Sequence, residues 1–203
     1  MLNKVFFTHS TDVVAQKLLG MHVVRVIGGK FLVGKIVETE SYTYHDPASH
    51  CYQKRTERNK ALFGPVGHAY IYKIYGIHYG FNVVAHSKED VAGGVLIRAI
   101  EPIEGIEYMR EFRQAARIEC NRDKRANITN GPGKLTQALQ IDLALYGHNL
   151  MQESELYIIK PENYRAPEIQ ATPRIGISKA PDLKKRFIIK NNGWVTPHVF
   201  NKL

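Results

Sequence analysis

Apolar residues recur with two different periods along this chain and divide it into predicted strands and helices. Segments rich in Val, Ile and Tyr, several of them bounded by glycine, favour β-strands. The Gly28-Gly29 pair between the first two segments is typical of a hairpin turn. Strands are therefore predicted at His22–Ile27, Phe31–Glu40, Tyr70–Tyr75, Phe81–Ala85, Gly93–Ala99, Leu156–Ile159, Arg174–Ile177 and Phe187–Ile189.

Helical spacing is clearest in the middle of the chain. Apolar residues recur every three or four positions, which predicts an amphipathic helix from Pro102 to about Ile118. A shorter helix, which either Thr11 or Ser10 can cap, runs through Leu18 and stops at Gly20. Another opens at Pro132 and runs through Leu139, because proline is well accepted in a first turn.

Two polar stretches, Ser41–Val66 and Glu119–Asn130, are predicted to be loops. No internal repeat, low-complexity tract or linker divides the chain, so we expect one domain of α+β class over residues 1–203. No stretch approaches the roughly 18 consecutive apolar residues that a bilayer span needs, and no signal-type segment opens the chain. We therefore expect a cytoplasmic protein without membrane contact.

Composition narrows the function classes. With 44% hydrophobic and 23% charged residues, the chain can bury a sizeable core, which excludes wholesale disorder. It carries 28 Lys and Arg against 19 Asp and Glu, a net charge of +9. Such a basic excess indicates a nucleic-acid binder, although a solvated positive surface accounts for it equally well.

One candidate for chemistry is the run of polar residues that ends the second predicted strand. Side chains alternate along a strand, so Glu38, Glu40 and Tyr42 should share one face, with Thr39 and Ser41 on the other. A carboxylate beside an aromatic wall is well placed to act as a general base. The alternative is a charged edge strand in solvent.

A hairpin loaded with tyrosine and a glycine-rich turn are further candidates. Period two places Tyr70 and Tyr72 on one face, where a ring can stack on a base. It places Tyr75 on the opposite side or at the tip, and a tyrosine at the tip can wedge into a duplex. Tyrosine is also simply a good strand residue. Asn130-Gly131-Pro132-Gly133-Lys134 can hold a phosphate but lacks the Walker pattern, so nucleotide hydrolysis is not implied.

Metal and disulfide chemistry find little support. Cys51 and Cys120 form neither a CxxC pair nor a zinc-type spacing and are expected to be free thiols. His45, Asp46, His50 and Cys51 are competent ligands, but their spacing fits none of the usual sites. The zinc signature of nucleobase deaminases is absent.

Motifs spread over nearly the whole chain resemble the alkyladenine (3-methyladenine) DNA glycosylase family. The matches are IVETESY at Ile36–Tyr42, DPASH at Asp46–His50, TERN at Thr56–Asn59, FGPVGHAYIYKIYGIH at Phe63–His78, VLIRAIEPIEG at Val95–Gly105, GPGKL at Gly131–Leu135 and RIGI at Arg174–Ile177. The resemblance implies a single compact α+β domain around a curved antiparallel sheet, similar to the C-terminal domain of methionyl-tRNA formyltransferase.

The resemblance also implies a reaction. Glu40 matches the general base that activates a water, and Arg98 and the main-chain carbonyl of Ile175 match groups that hold this water. The expected enzyme is a monofunctional glycosylase that uses no metal or other cofactor. It flips 3-methyladenine or 7-methylguanine out of double-stranded DNA and leaves an abasic site for base excision repair. Acceptance of hypoxanthine or ethenoadenine stays open.

Other positions match binding residues of that family. Tyr42, His50 and Tyr72 look like walls of the base pocket, and Asn82 matches the side chain that clashes with the 2-amino group of guanine. Tyr75 matches the intercalating residue. Positions that match contacts to the DNA backbone or groove are Thr56, Ile77 and Lys134. We expect a monomer, associated with the nucleoid if the source is bacterial.

Departures from the family pattern and competing functions define what has to be tested. Tyr44 and His45 stand where many members have Gly-Pro, Asn149 stands in place of an expected aspartate, and Asn191–Thr196 matches the family's ending only loosely. They bear on substrate range. The alternatives are a non-catalytic nucleic-acid-binding module of the same fold, and a glycosidase acting on free nucleosides.

Overall fold

A curled antiparallel sheet organises the chain in a computed structural model that describes residues 1–74, 76–115 and 128–202. Its strands are β1 (His22–Ile27), β2 (Lys30–Thr43), β3 (Ala69–Ile74), β4 (His78–Val84), β5 (Gly93–Glu104), β6 (Leu156–Ile159), β7 (Ile169–Thr172) and β8 (Arg186–Ile189). The order is β3-β4-β5-β2-β1-β6, and β8 pairs with both β2 and β7. The expected single compact α+β domain is confirmed.

Short helices accompany the sheet. They are α1 (Lys4–Phe7), α2 (Thr11–Lys17), α3 (Ile106–Ala115) and α4 (Pro132–Ala138), with 3-10 helices at Lys60–Phe63, Leu143–Leu145 and Val199–Lys202. Helices α2 and α4 pack against the central strands, and the main core lies between them and one face of the sheet. Among the described residues, no helix is long and apolar enough to cross a lipid bilayer.

Strand β2 lies inside the sheet and pairs with other strands along both of its edges. Strand β5 follows it from Val33 to Thr43, while β1 and then β8 pair with successive parts of its other edge. The register between β2 and β5 shifts near Ile36 and Glu38, which leaves Val37 and Arg98 without a paired residue. Bulges of this kind change the direction of the side chains that follow.

The shift decides which residues of β2 enter the core. Ile36 lies in the main core, so strict alternation would send Glu38 and Glu40 there too. Instead Thr39 Oγ1 donates to the Ala15 carbonyl of α2, and the acidic side chains lie on the opposite face of the sheet. The predicted face shared by Glu38, Glu40 and Tyr42 is confirmed.

The predicted start of the amphipathic helix is wrong. Pro102 does not open a helix, because β5 continues through it opposite Gly34 and α3 begins only at Ile106. Gly105, with φ of +71°, makes the turn between them. The predicted end of this helix, residues 116–118, and residues 119–127 of the following predicted loop lie outside the described residues.

The predicted strand at Arg174–Ile177 is also wrong, since the strand there is β7, which ends at Thr172. Pro173 follows and has no N–H to continue a ladder. Two residues beyond this proline, the N–H of Ile175 donates to the Glu40 carboxylate instead of to a neighbouring strand. The predicted loop at Ser41–Val66 is shorter than expected, because β2 runs to Thr43 and a 3-10 helix occupies Lys60–Phe63.

Candidate active site

Glu40 lies near the end of β2, and its carboxylate is fully buried. The Tyr42 hydroxyl donates to Glu40 Oε2 over 2.7 Å, and Arg98 Nη1 donates to the same oxygen over 3.2 Å. The main-chain N–H of Ile175 donates to Glu40 Oε1 over 2.9 Å. Because all three partners are donors, they suit a carboxylate and fix the direction of both oxygens.

Arg98 connects this carboxylate to a second one. Its Nε donates to Glu38 Oε1 over 3.0 Å, and Arg186 Nε donates to the same oxygen over 2.6 Å. Glu38 Oε2 accepts the N–H of Thr196 over 2.8 Å. Two carboxylates and two guanidinium groups therefore alternate across the site, and their formal charges cancel.

Mutual attraction within this cluster outweighs the cost of burial. Burial alone would raise the pKa of Glu38, but Arg98, Arg186 and hydrogen bonds from the neighbouring threonine hold that pKa below its ordinary value. Burial alone would lower the pKa of Arg98, but the Glu40 and Glu38 carboxylates raise it. Arg98 is therefore a permanent cation beside Glu40.

A cavity of about 260 Å³ opens beside Glu40. Tyr42 lines this cavity and also donates its hydroxyl to Glu40. Burial, followed by the charge of Glu40, raises the pKa of Tyr42, so its hydroxyl remains a donor. The cavity is slightly smaller than typical ligand pockets of about 300 Å³ or more, which suits a small flat ligand. It is lined by Tyr42, Ala48, Ser49, His50, Leu62, Tyr70, Tyr72, Ile74, Asn82, Gly94, Gly176 and Ile177.

Aromatic rings form one wall of this cavity. The rings of Tyr70 and Tyr72 stack with centroids 5.6 Å apart, and the His50 ring meets Tyr72 edge-on at 4.4 Å. His50 Nδ1 shares a hydrogen bond of 2.9 Å with the Tyr70 hydroxyl. Burial, and then the nearby charge of Arg58, lowers the pKa of His50, so the ring is neutral near pH 7.

Backbone features hold this wall in place. A Cβ at Gly80 would lie 2.7 Å from Tyr72 Cζ, so the tyrosine ring packs directly on the β4 backbone. Asn82, buried on the same strand, donates from Nδ2 to the Tyr70 carbonyl over 3.1 Å, which fixes its amide at the cavity wall. All four predicted pocket residues, Tyr42, His50, Tyr72 and Asn82, therefore line one cavity.

The predicted phosphate contact lies on a neighbouring surface. Lys134, in the first turn of α4, donates from Nζ to Asn130 Oδ1 over 2.9 Å. A cleft of about 420 Å³ is lined by both Lys134 and Arg98, and also by His78. The glycine-rich turn and the buried ion cluster thus share one face of the molecule.

The remaining predicted DNA contacts are surface residues. Ile77, in the turn between β3 and β4, is 74% exposed. Thr56 is exposed and exchanges hydrogen bonds with Asn59, whose side chain also donates to the His50 carbonyl over 2.7 Å. This links the predicted backbone contact to the pocket wall. Tyr75, the predicted intercalating residue, lies outside the described residues.

Two of the candidate metal ligands are engaged with other side chains. Asp46 forms a buried ion pair with Arg174, and His50 is bound to Tyr70. Cys51 is a buried free thiol whose pKa is raised mainly by burial. In the part of the chain that the structure describes, no three His, Cys, Asp or Glu side chains come together as a metal site.

The sequence itself matches a known family over most of its length. The family model of the methylpurine-DNA glycosylases matches residues 5–193. The chain belongs to the methylpurine-DNA glycosylase family. Its family resemblance is thereby confirmed, as is its assignment to the DNA glycosylases, enzymes that repair alkylated bases.

Relatives of similar length carry the provisional name 3-methyladenine DNA glycosylase. One from Carboxydothermus hydrogenoformans is 44% identical over 196 residues, covering 97% of this chain and 98% of its own. One from Francisella tularensis is 44% identical over 184 residues, covering 90% and 91%. One from Methanoculleus marisnigri is 41% identical over 203 residues, covering 96% and 98%.

Sequence reasoning missed several members of this methylpurine-DNA glycosylase site. Arg186 is fully buried against Glu38, and Arg174 is buried against Asp46 and lies over the Tyr42 ring. The available signal was an arginine within or beside an apolar segment, since a buried arginine needs a carboxylate partner. Which carboxylate it meets depends on contacts more than a hundred residues apart.

Proposed function

We propose that this chain removes alkylated purines from duplex DNA by hydrolysing the N-glycosidic bond with a water activated by Glu40. One observation carries the proposal: Tyr42 lines the aromatic cavity and also donates its hydroxyl to Glu40. A purine held in the cavity would thus have its glycosidic carbon next to a fixed carboxylate. Geometry of this kind is what a general base requires.

The reaction balances with one water and no covalent protein intermediate. Glu40 accepts a proton from the water, whose oxygen forms a bond to C1′ as the C1′–N bond breaks. The electron pair of the broken bond leaves with the base, which alkylation at N3 or N7 has made electron-poor. Arg98 and the carbonyl of Ile175 are proposed to hold the water. No lysine is among the described residues that line the cavity, so no lyase step is expected.

The cavity supports selection of an electron-poor ring. The faces of Tyr42 and Tyr72 and the neutral His50 ring favour a cationic base by cation–π attraction. Such a base has to leave the duplex before it can enter, so base flipping is part of the proposal. Asn82 is proposed to exclude guanine through its 2-amino group. We propose 3-methyladenine and 7-methylguanine as substrates.

Duplex binding is proposed to use the face that carries Lys134. Thr56, Ile77 and Lys134 would contact the backbone or groove, and Tyr75 would fill the gap left by the flipped nucleotide. Exposed basic residues near the pocket, including Arg55 and Arg58, add attraction for phosphates. The oligomeric state and the location stay predictions. We expect a monomer in the cytoplasm, associated with the nucleoid if the source is bacterial. The single glycosylase domain over residues 1–203 and the likeness to the formyltransferase C-terminal domain also stay predictions.

Base release and DNA affinity have to be measured on the same variant to test this function. Purified protein is incubated with chelator and a duplex that holds one 7-methylguanine or one hypoxanthine, and abasic sites are counted. Glu40→Gln should abolish release while duplex affinity stays the same or improves. Glu168→Gln, in an exposed ion pair with Lys190, is the matched control and should behave as the wild type.

The competing functions give other outcomes. A non-catalytic binding module would hold the duplex tightly without releasing the base under conditions where a control glycosylase works. A nucleoside glycosidase would release the base from the free nucleoside as fast as from DNA. Either result would replace the proposed function.

A further inference from the structure

A buried ion pair behind the pocket joins the two segments that enclose it. Arg174 Nη2 donates to Asp46 Oδ1 over 3.0 Å, and Arg174 Nη1 donates to Asp46 Oδ2 and to the Ser41 carbonyl, the latter over 3.1 Å. The two side chains are 0% and 1% exposed. Such a two-pronged contact fixes direction as well as distance.

Arg174 also packs against Tyr42, the tyrosine that donates a hydrogen bond to Glu40. Its guanidinium carbon lies 4.7 Å from the centroid of the Tyr42 ring. Tyr42 lines the cavity but Arg174 does not, so the guanidinium supports this ring from outside the cavity. Since the ring cannot move toward Arg174, the direction of the hydroxyl toward Glu40 is fixed as well.

The same pair controls the second donor to Glu40. Ile175 directly follows Arg174, and its N–H donates to the Glu40 oxygen that Tyr42 does not use. Gly176 and Ile177 come next and line the cavity. Thus both oxygens of Glu40 receive a donor whose position depends on Arg174.

Asp46 organises the opposite side of the cavity. Its Oδ1 accepts the N–H of Ala48 over 3.0 Å, and its carbonyl accepts the N–H of Ser49 over 2.8 Å. This turn places Ala48, Ser49 and His50 on the cavity wall. The ion pair therefore sets the position of the loop with His50 relative to the segment with Ile175.

We infer that Arg174 and Asp46 are a pair of positioning residues that hold Glu40 and the pocket wall in reactive alignment. The inference rests on the proposed function, in which Glu40 activates the water. Neither residue lines the cavity, so both would act through the residues that they hold in place. Their loss should affect the chemical step more than the affinity for DNA, since misplacement of about 1 Å can cost about a hundredfold in rate.

The test uses a double variant that keeps the interior free of unpaired charge. Arg174→Met with Asp46→Leu replaces the ion pair by apolar side chains, which proteins often accept without loss of stability. We expect the single-turnover rate of base release at saturating protein to fall by about tenfold to a hundredfold. Affinity for a duplex with a tetrahydrofuran abasic analogue should stay within about twofold, and thermal unfolding should stay cooperative.

Controls separate positioning from general structure. Lys35→Met with Glu101→Leu removes a half-exposed ion pair outside the pocket lining and should leave the rate unchanged. In a Tyr42→Phe background, the rate lost by the double variant should shrink, because part of the effect passes through the Tyr42 hydroxyl. Arg174→Lys keeps the charge but loses the two-pronged contact with Asp46, so its single-turnover rate should lie between those of the wild type and the double variant. If the double variant does not fold, the rate and duplex affinity of Arg174→Lys decide the test.

The outcomes distinguish this inference from the proposed function. A double variant at the wild-type rate, with Glu40→Gln inactive, overturns the positioning role and leaves the function standing. Equal losses of rate and duplex affinity make the pair merely structural and also overturn it. If Glu40→Gln releases bases as fast as wild type, the proposed function fails and the inference fails with it.

Discussion

The Tyr42 hydroxyl lies 2.7 Å from Glu40 Oε2, while the ring of the same tyrosine lines the aromatic cavity. One side chain therefore lines the cavity and contacts the carboxylate. Under the proposed function, this arrangement ties the recognition of a base to the alignment of the carboxylate that activates the attacking water. Most of the predictions that follow test parts of this connection.

Tyr42→Phe keeps the ring and removes the donor to Glu40. A hydrogen bond to a charged group contributes about 1.5–3 kcal/mol, so the single-turnover rate should fall by about tenfold or more. Duplex affinity should change little, because the pocket surface is retained. Tyr164→Phe, at a half-buried tyrosine outside this pocket, is the control. Loss of affinity without loss of rate would contradict the proposed role of the hydroxyl.

Glu38→Gln should destabilise the fold more than it affects binding. It leaves Arg98 and Arg186 buried with one carboxylate fewer, and breaking a buried pair in this way costs about 3–5 kcal/mol. Thermal or urea unfolding measures the loss. A variant as stable as the wild type would show that the cluster adds no stability.

The same residue predicts a dependence of stability on pH. The pKa of Glu38 is lower in the folded state than its ordinary value of 4.5, so the native state binds this proton less readily than the unfolded chain. The stabilisation is complete above that ordinary value and is lost as pH falls through the folded pKa. The stability gap between wild type and Glu38→Gln should therefore close below about pH 4.5. A stability difference that grows as the pH falls would contradict this prediction.

Gly80→Ala should disturb the pocket wall. The added Cβ would lie 2.7 Å from Tyr72 Cζ, so the ring has to move, and overpacking of this kind costs about 1–3 kcal/mol. We expect weaker discrimination between a lesion duplex and an undamaged duplex, measured by fluorescence anisotropy. Gly193→Ala, where a Cβ has no neighbour within 4 Å, is the matched control. Equal behaviour of the two variants would show that Tyr72 does not shape the pocket.

Lys134→Ala should weaken binding to all duplexes alike. Losing one phosphate contact lowers the slope of log affinity against log salt by about 1. Lys17→Ala is the control, because Lys17 is exposed on α2 and lines neither the aromatic cavity nor the cleft that Lys134 lines. An unchanged salt slope for Lys134→Ala would show that Lys134 does not contact the DNA phosphates.

Local patterns were enough to predict much of the fold and part of the site. Period two placed Glu38, Glu40 and Tyr42 on one face, as observed. The motifs that resemble the glycosylases led to four of the residues that line the cavity. Both predictions concern residues whose neighbours along the chain determine their direction.

Long-range pairing explains what could not be predicted. Pro102 fits a helical pattern, yet β2 is long enough to pair with it, so the strand continues. Arg174 and Asp46 are 128 positions apart, and no local pattern indicates that they meet. The register shift at Arg98 likewise depends on how two strands pair. Buried ion pairs and bulges are properties of the assembled sheet.

The most direct test of the account is the rate of base release by wild type and Glu40→Gln under single-turnover conditions. Both proteins are held in excess over a duplex with one 7-methylguanine, with chelator present and duplex affinity measured in parallel. We predict abasic sites with the wild type, none above background with Glu40→Gln, and affinity preserved in both. Release by Glu40→Gln at the wild-type rate would contradict the central claim that Glu40 activates the attacking water.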